Sequence, residues 1–422
     1  MSEWLQTEAG AQIATEIATS IEARRGELIA LLTDLVAARS DNPPGDVTRS
    51  AAVLTAFLGR HGLACEIVAR DPTKPNLVST VSGRAPGRHL ILNGHMDTIA
   101  AGDEAAWTVP ILQLSCHDGR LHGLGTGNMK GGLAALALAF TWLAAHRNLW
   151  QGRVSFTAVA DETVFGDAGA EHLLDQRPDL VGDAVICGEG PGAMQLAIAE
   201  KGLLWVEITA RSEAGQGMLT TRGSSAIARL VRVLAELDGL NDRQIEPPSP
   251  LGLLRTAAGA HGLRLSVNVG RINGGHFVSQ AASRASAEVD FRLPPGTTID
   301  QVEHELKALL AAVPGTSFRR IKGWNPNWTD PGDPLVACVS AAATRVRGTP
   351  PAAVVRLPAS DASRWRARGL AAVCYGPQPL LASGTDDYVL EQDLVDCAKV
   401  YALAACAALQ SAASQQNTSE KV

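Results

Sequence analysis

The chain has 422 residues, with 43 acidic and 37 basic side chains, a net charge of -6, 46% hydrophobic residues and 19% charged residues. This is enough apolar material for two compact domains with a sizeable core, and the charge is spread without a basic block, which argues against a nucleic-acid surface or a polybasic membrane anchor and for a small or peptide-like substrate. Seven cysteines without a CxxC pair, no basic-then-apolar leader and no run of about 18 apolar residues lead us to expect reduced thiols, a cytoplasmic location and no export or spanning segment.

Apolar positions at helical spacing among Glu and Arg predict a surface helix over residues 10 to 39, ended by Asp41-Asn42-Pro43-Pro44-Gly45. A helix near 47 to 61 leads into β-rich runs at 65 to 68, 76 to 79 and 89 to 93, a helix over 130 to 146, and strands at 153 to 160 and 184 to 187. Such alternation predicts an α/β domain around a central sheet. From about Gly202 the order becomes strand 203 to 210, helix 223 to 237, strands 263 to 272 and 284 to 293, helix 298 to 312 and strand 317 to 322. That is the β-α-β-β-α-β order of a ferredoxin-like sandwich. Turns at Asn325-Pro326 and Asp330-Pro331-Gly332 return the chain to a helix over 333 to 347 and further α/β elements. The expected organisation is a catalytic domain in two parts, 1–200 and 325–422, with a lid domain inserted at 201–324. The polar tail from Gln415 is expected to fray.

Four short segments carry candidate chemistry. His95 and Asp97 follow an apolar strand, so they fall at its carboxyl end, where open α/β sheets place ligands. A carboxylate two residues on can fix an imidazole as a metal ligand, although taken alone the pair is more simply read as a hydrogen-bonded loop histidine. Asn128 precedes Lys130-Gly131-Gly132 and a helix, where it could be an ordinary N-cap. Asp161-Glu162 and Glu189 each end a strand. A carboxylate in a cleft at such a place can shuttle protons, and a solvated acidic turn is the bland alternative.

Taken in order, Gly94-His95-Met96-Asp97, Gly127-Asn128-Met129-Lys130-Gly131-Gly132, Asp161-Glu162-Thr163 and Gly188-Glu189 resemble the motifs of the zinc-dependent aminoacylase, acetylornithine deacetylase and succinyl-diaminopimelate desuccinylase family, which also contains glutamate carboxypeptidases. The resemblance extends over nearly the whole chain, through Gly274-Gly275, Asp290-Phe291-Arg292-Leu293-Pro294-Pro295-Gly296, Asp361, Tyr375-Gly376-Pro377 and Asp387-Tyr388-Val389. It implies a zinc-peptidase catalytic domain with an inserted lid and dimerisation domain, and a homodimer through the helix over 223 to 237 and its neighbouring edge strand. It also implies His95 and Glu189 as ligands of one metal, Asp97 as the carboxylate orienting His95, and Glu162 as the general base. Arg292 would hold a substrate carboxylate, with an intradomain or interdomain salt bridge as its alternative, and Asn128 and Gly376 would contact substrate.

Four positions depart from the family pattern. Asn128 stands where the family has the aspartate bridging two metals, Thr163 where it has a glutamate ligand, Ser383 where it has a histidine ligand, and Gln216 where the lid supplies a histidine to the oxyanion. Ser279 replaces a frequent lid asparagine. The expected centre therefore holds at most one metal, on His95, Glu189 and Asn128, or none. The implied function is an amidohydrolase acting on an N-acyl, peptide-like or related small carboxylate substrate. Metal-free acyl transfer, cyclisation or lyase chemistry and a binding role without catalysis are the alternatives. Cys187 and Cys374 are expected to be core thiols, and His122, His172 and His276 ordinary surface or core residues.

Overall fold

The structure, a computed structural model, describes residues 3–241, 243–252, 254, 262–379 and 384–410. Ser383 and the tail from Gln415 lie outside the described residues. The chain forms two compact units, one of residues 1–198, 329–353 and 360–422, the other of residues 199–328 and 354–359.

The first unit is built on a mixed sheet. In spatial order it runs through Glu66–Val68, Asn76–Ser82, Arg153–Val159, His89–His95, Ala184–Cys187, Ala371–Cys374 and Leu196–Glu200. The strands Arg153–Val159, His89–His95, Ala184–Cys187 and Ala371–Cys374 are parallel neighbours. All seven residues of His89–His95 are buried, the pattern of a strand covered on both faces. Its cover includes the helices Gly131–Ala145 and Glu391–Gln410. Every residue from Gly131 to Leu143 is buried, as expected of a helix apolar on all sides. No helix among the described residues is long and apolar enough to cross a membrane.

One element differs from expectation. The stretch predicted as a single helix over 10 to 39 is two, Glu8–Ala23 and Arg25–Ala37, broken at Arg24. Gly26 weakens helical continuity there, and the Arg24 guanidinium is anchored by Thr141 at 2.9 Å and Glu27 at 2.7 Å.

In the second unit, the strands Gly202–Arg211, Ser266–Gly274, Arg284–Leu293 and Thr316–Trp324 form an antiparallel sheet. The second, third, first and fourth of these in chain order lie side by side. Helices Ala226–Asp238 and Ile299–Ala311 complete the β-α-β-β-α-β sequence. Alternate residues of the third strand, Ala285, Ala287, Val289, Phe291 and Leu293, enter the core with Leu230, Val233, Val302 and Leu306 of the helices. The helix Ile299–Ala311 starts at a reciprocal cap, Thr298 accepting from the Gln301 N–H while the Gln301 side chain accepts from the Thr298 N–H.

Candidate active site

Three parallel strands deliver the candidate residues at their carboxyl ends. His95 closes His89–His95, Asp161 and Glu162 follow Arg153–Val159, and Glu189 follows Ala184–Cys187. The register pairs His95 with Val159 and Asn93 with Cys187, so the three chain ends emerge side by side. Asn128 arrives from the segment Thr126–Lys130, ahead of the buried helix. That helix reaches the site closely because Gly132 has no side chain; a Cβ there would lie 2.1 Å from the Gly188 carbonyl oxygen.

His95 is the hub. Its Nε2 lies 3.1 Å from Asn128 Oδ1, 3.5 Å from Glu162 Oε2 and 3.8 Å from Glu189 Oε1. His95, Glu162 and Glu189 can each offer a ligand atom with all three atoms within 4.8 Å of one another, and all three residues are buried. Asn128 is not a helix cap: the capping position belongs to Lys130, and the Asn128 side chain is turned to the imidazole instead. The local alternative for this residue is thereby overturned.

Asp97 holds the site differently from the expected carboxylate–imidazole pair. The closer partner of His95 Nδ1 is the Asp97 main-chain oxygen at 2.9 Å, with carboxylate Oδ1 at 3.5 Å. The carboxylate gathers the loops. Its Oδ1 accepts from the Glu162 N–H at 3.1 Å, and its Oδ2 accepts from Asn42 Nδ2 at 2.9 Å, from the Thr163 N–H at 3.0 Å and from the Thr163 hydroxyl at 2.8 Å. Thr163, at a position where a metal ligand was expected by resemblance, thus spends its hydroxyl proton on Asp97.

The electrostatics follow from one imidazole surrounded by buried carboxyls. Burial alone would disfavour the imidazolium, yet Glu162, Asp97 and Glu189 outweigh it and lift His95 well above its ordinary value. Burial, then the Glu189 charge, raise Glu162 well above the usual carboxylate range despite His95. Burial would raise Asp97 too, but His95, Asn42 and Thr163 hold it well below that range. Asp361, from the last segment of the same unit, joins this field; burial is the main cause of its rise to about 7, with His95 opposing and Glu189 reinforcing it. Its Oδ2 is buried and has no hydrogen-bond partner among the described residues.

The other candidates lie elsewhere or do other work. Arg292 is in the second unit, where its Nε donates to Asp290 at 3.0 and 2.9 Å, the intradomain ion pair that was its alternative. Gln216 and Ser279 are also in that unit and exposed, Gln216 in the short strand Gly215–Gln216 paired with Gln280–Ala281 and Ser279 in the turn just before that partner strand. Gly376 packs against the chain that carries Glu189, since a Cβ would meet Gly188 O at 2.1 Å and Gly190 N at 2.6 Å. Cys187 and Cys374 are buried register partners on adjacent strands, and their mutual hydrogen bond together with burial pushes the Cys187 thiol well up, away from nucleophilic thiolate chemistry. Beside Asn128 opens a cavity of about 230 Å³, lined among others by Asp103, Trp107, Leu124, Gly125 and Asp387.

Sequence reasoning missed Asn42, Lys74 and the use of Thr163. Asn42 reads as part of a helix-ending turn, yet its Nδ2 bridges Asp97 and Asp161 at 2.9 and 3.2 Å. No local signal marks a contact made across 55 and 119 residues of chain.

Known proteins resemble this chain over most of its length. The family model for peptidase family M20/M25/M40 matches residues 91–407. A probable succinyl-diaminopimelate desuccinylase of Staphylococcus epidermidis is 32% identical over 211 residues, 50% of each chain, so the match spans about half that relative's length. A Staphylococcus aureus protein of the same description is 26% identical over 390 residues, covering 87% of this chain and 94% of its own. Among solved structures, an M20 family metallo-carboxypeptidase from Sulfolobus solfataricus has a TM-score of 0.75 at 18% identity, covering 90% of this chain and 98% of that one. A dinuclear metal-binding M20 peptidase of Bacillus subtilis has a TM-score of 0.67 at 15% identity over 92% of this chain and 99% of that one. At these identities the structural likeness is one of fold.

Proposed function

This chain belongs to peptidase family M20/M25/M40 and is a hydrolase of metallopeptidase type, and from that premise we propose that it cleaves an N-acyl, peptide-like or related small carboxylate substrate with one divalent cation in place of two. The observation that carries the proposal is the convergence of His95 Nε2, Glu162 and Glu189 within 4.8 Å, with Asn128 Oδ1 3.1 Å from the same ring nitrogen. Four buried carboxyls, Asp97, Glu162, Glu189 and Asp361, share one imidazole. An excess of buried negative charge is what a divalent cation relieves, and the orphaned Asp361 Oδ2 is a further oxygen available to it. His95, Glu189 and Asn128 would hold the ion, with the imidazole oriented by the Asp97 main-chain oxygen. The donors suit one ion better than two, because the Thr163 hydroxyl is committed to Asp97.

A bound cation supplies Lewis acidity to the scissile carbonyl and acidity to water. The chain's own residues do the rest. Glu162 takes a proton from water as its oxygen forms a bond to the acyl carbon, and returns that proton to the amine nitrogen as the C–N bond breaks. Asp97 fixes the backbone of Glu162 through its N–H, so the base is aimed by the same carboxylate that clamps Thr163. The cavity beside Asn128 suits a small substituent. The second unit would serve as a lid and dimerisation domain, with Arg292 available to a carboxylate on release from Asp290.

Glu162→Gln tests the assignment. Hydrolysis of N-acyl amino acids or dipeptides should fall by at least about 100-fold, with zinc still bound through His95, Asn128 and Glu189, though more weakly for the loss of one buried carboxylate. Unchanged turnover would remove Glu162 from the mechanism. One observation favours a second reading, metal-free chemistry: both ring nitrogens of His95 face oxygen acceptors, an arrangement that also satisfies an imidazolium. Turnover that survives exhaustive chelation would select it.

A further inference from the structure

We infer that Lys74 is a positioning residue for the active centre, acting through Asp161 and Asn42 on the two loops that carry Asp97 and Glu162. The inference rests on the reading of His95 and Glu162 as the working groups.

Lys74 lies in the turn between the strands Glu66–Val68 and Asn76–Ser82, and its Nζ is 2.5 Å from Asp161 Oδ1. The same Asp161 oxygen accepts from Asn42 Nδ2 at 3.2 Å, and that nitrogen also donates to Asp97 Oδ2 at 2.9 Å. One amide thus links two carboxylates, one 0% and the other 4% exposed. Two buried like charges sharing one neutral donor repel each other, and the arrangement needs a cation to hold. Lys74 supplies it at the Asp161 end, where its side chain keeps 18% exposure.

Asp161 is also the anchor of the loop that presents the base. It stands at φ 62, directly before Glu162, its Oδ2 accepts from the Ala168 N–H at 3.3 Å, and its carbonyl accepts from the Gly166 N–H at 2.8 Å. The loop folds so closely over this carboxylate that a Cβ at Gly166 would lie 1.8 Å from Asp161 Oδ2. Removing the lysine charge leaves Asp161 to push against Asp97, loosening the carboxylate that holds the Glu162 and Thr163 backbones. Lys74 touches neither His95 nor Glu162, so its effect is on placement rather than on bond making.

The test compares the full-length parent with Lys74→Met, Lys74→Gln and Lys74→Arg, each checked for native circular dichroism. Zinc affinity is read by competition with a chromophoric chelator, and the ring ¹⁵N resonances of His95 are read in the metal-free protein at one pH. The neutral variants should bind zinc about 10-fold more weakly and displace the His95 resonances, while Lys74→Arg stays within about threefold of the parent. Equal affinities and unmoved resonances in the neutral variants would overturn the inference, as would an arginine variant as impaired as the methionine one, since space rather than charge would then matter. Should the parent take up no zinc, the one-cation reading fails by itself, and the His95 resonances alone decide the role of Lys74.

Discussion

His89 opens the strand that His95 closes, and it shows how burial sets a side chain's proton affinity. Its Nε2 meets the Ser155 hydroxyl at 2.8 Å, and its Nδ1 is 3.3 Å from the Arg153 guanidinium, which can only donate. Burial first, then the Arg153 charge, lowers its pKa to about 4 from an ordinary 6.5. Between those values the unfolded chain binds a proton that the folded chain refuses, so stability rises with pH through the window and is lost as pH falls from about 6.5 to about 4, by at most about 3 kcal/mol. Chemical denaturation of the parent and of His89→Gln across that window should show a shallower slope in the variant. Identical slopes would mean that His89 is protonated in the fold. At this scale the sequence exposes residues that stand at the ends of apolar strands, which is how His95, Glu162 and Glu189 are legible. It conceals Asn42 and Lys74, whose partners lie 55 to 119 residues away and depend on loop closure.

Helices and strands were legible wherever one physical signal dominated. The strands Ala184–Cys187 and Arg284–Leu293 follow directly from an apolar run and a strict alternation. The break at Arg24 was not legible, because it depends on the tertiary anchor to Thr141. On the helix Ala226–Asp238, Ala226, Leu230, Val233 and Leu237 are buried, while Ile227 is 40% and Val231 52% exposed one turn apart on another face. Ile227 lies over Gly274 of the edge strand Ser266–Gly274, where Ile272 is 56% exposed. An apolar helix face beside an open strand edge is a natural isologous contact. If the chain pairs through this face as proposed, sedimentation should find a dimer that Val231→Glu with Ile227→Glu converts to monomer, and a parent that sediments as a monomer would overturn that proposal.

For the whole molecule, the α/β class and the metallopeptidase-type family were readable from the order of short motifs, because each motif marks a strand end on one sheet. What the order of motifs could not reveal is how the departures at Asn128 and Thr163 are accommodated: one side chain faces the imidazole and the other clamps Asp97. Under the proposed reading, those two contacts would leave His95, Glu189 and Asn128 as the donor set for a single ion. The most direct measurement is metal stoichiometry by elemental analysis, on protein purified without chelator and dialysed against micromolar zinc, with Asn128→Asp in parallel. The account predicts one zinc per chain in the parent, lost in His95→Ala, and tighter binding in Asn128→Asp, where an anionic oxygen replaces a neutral one. Two zinc ions per chain, or none, would contradict it.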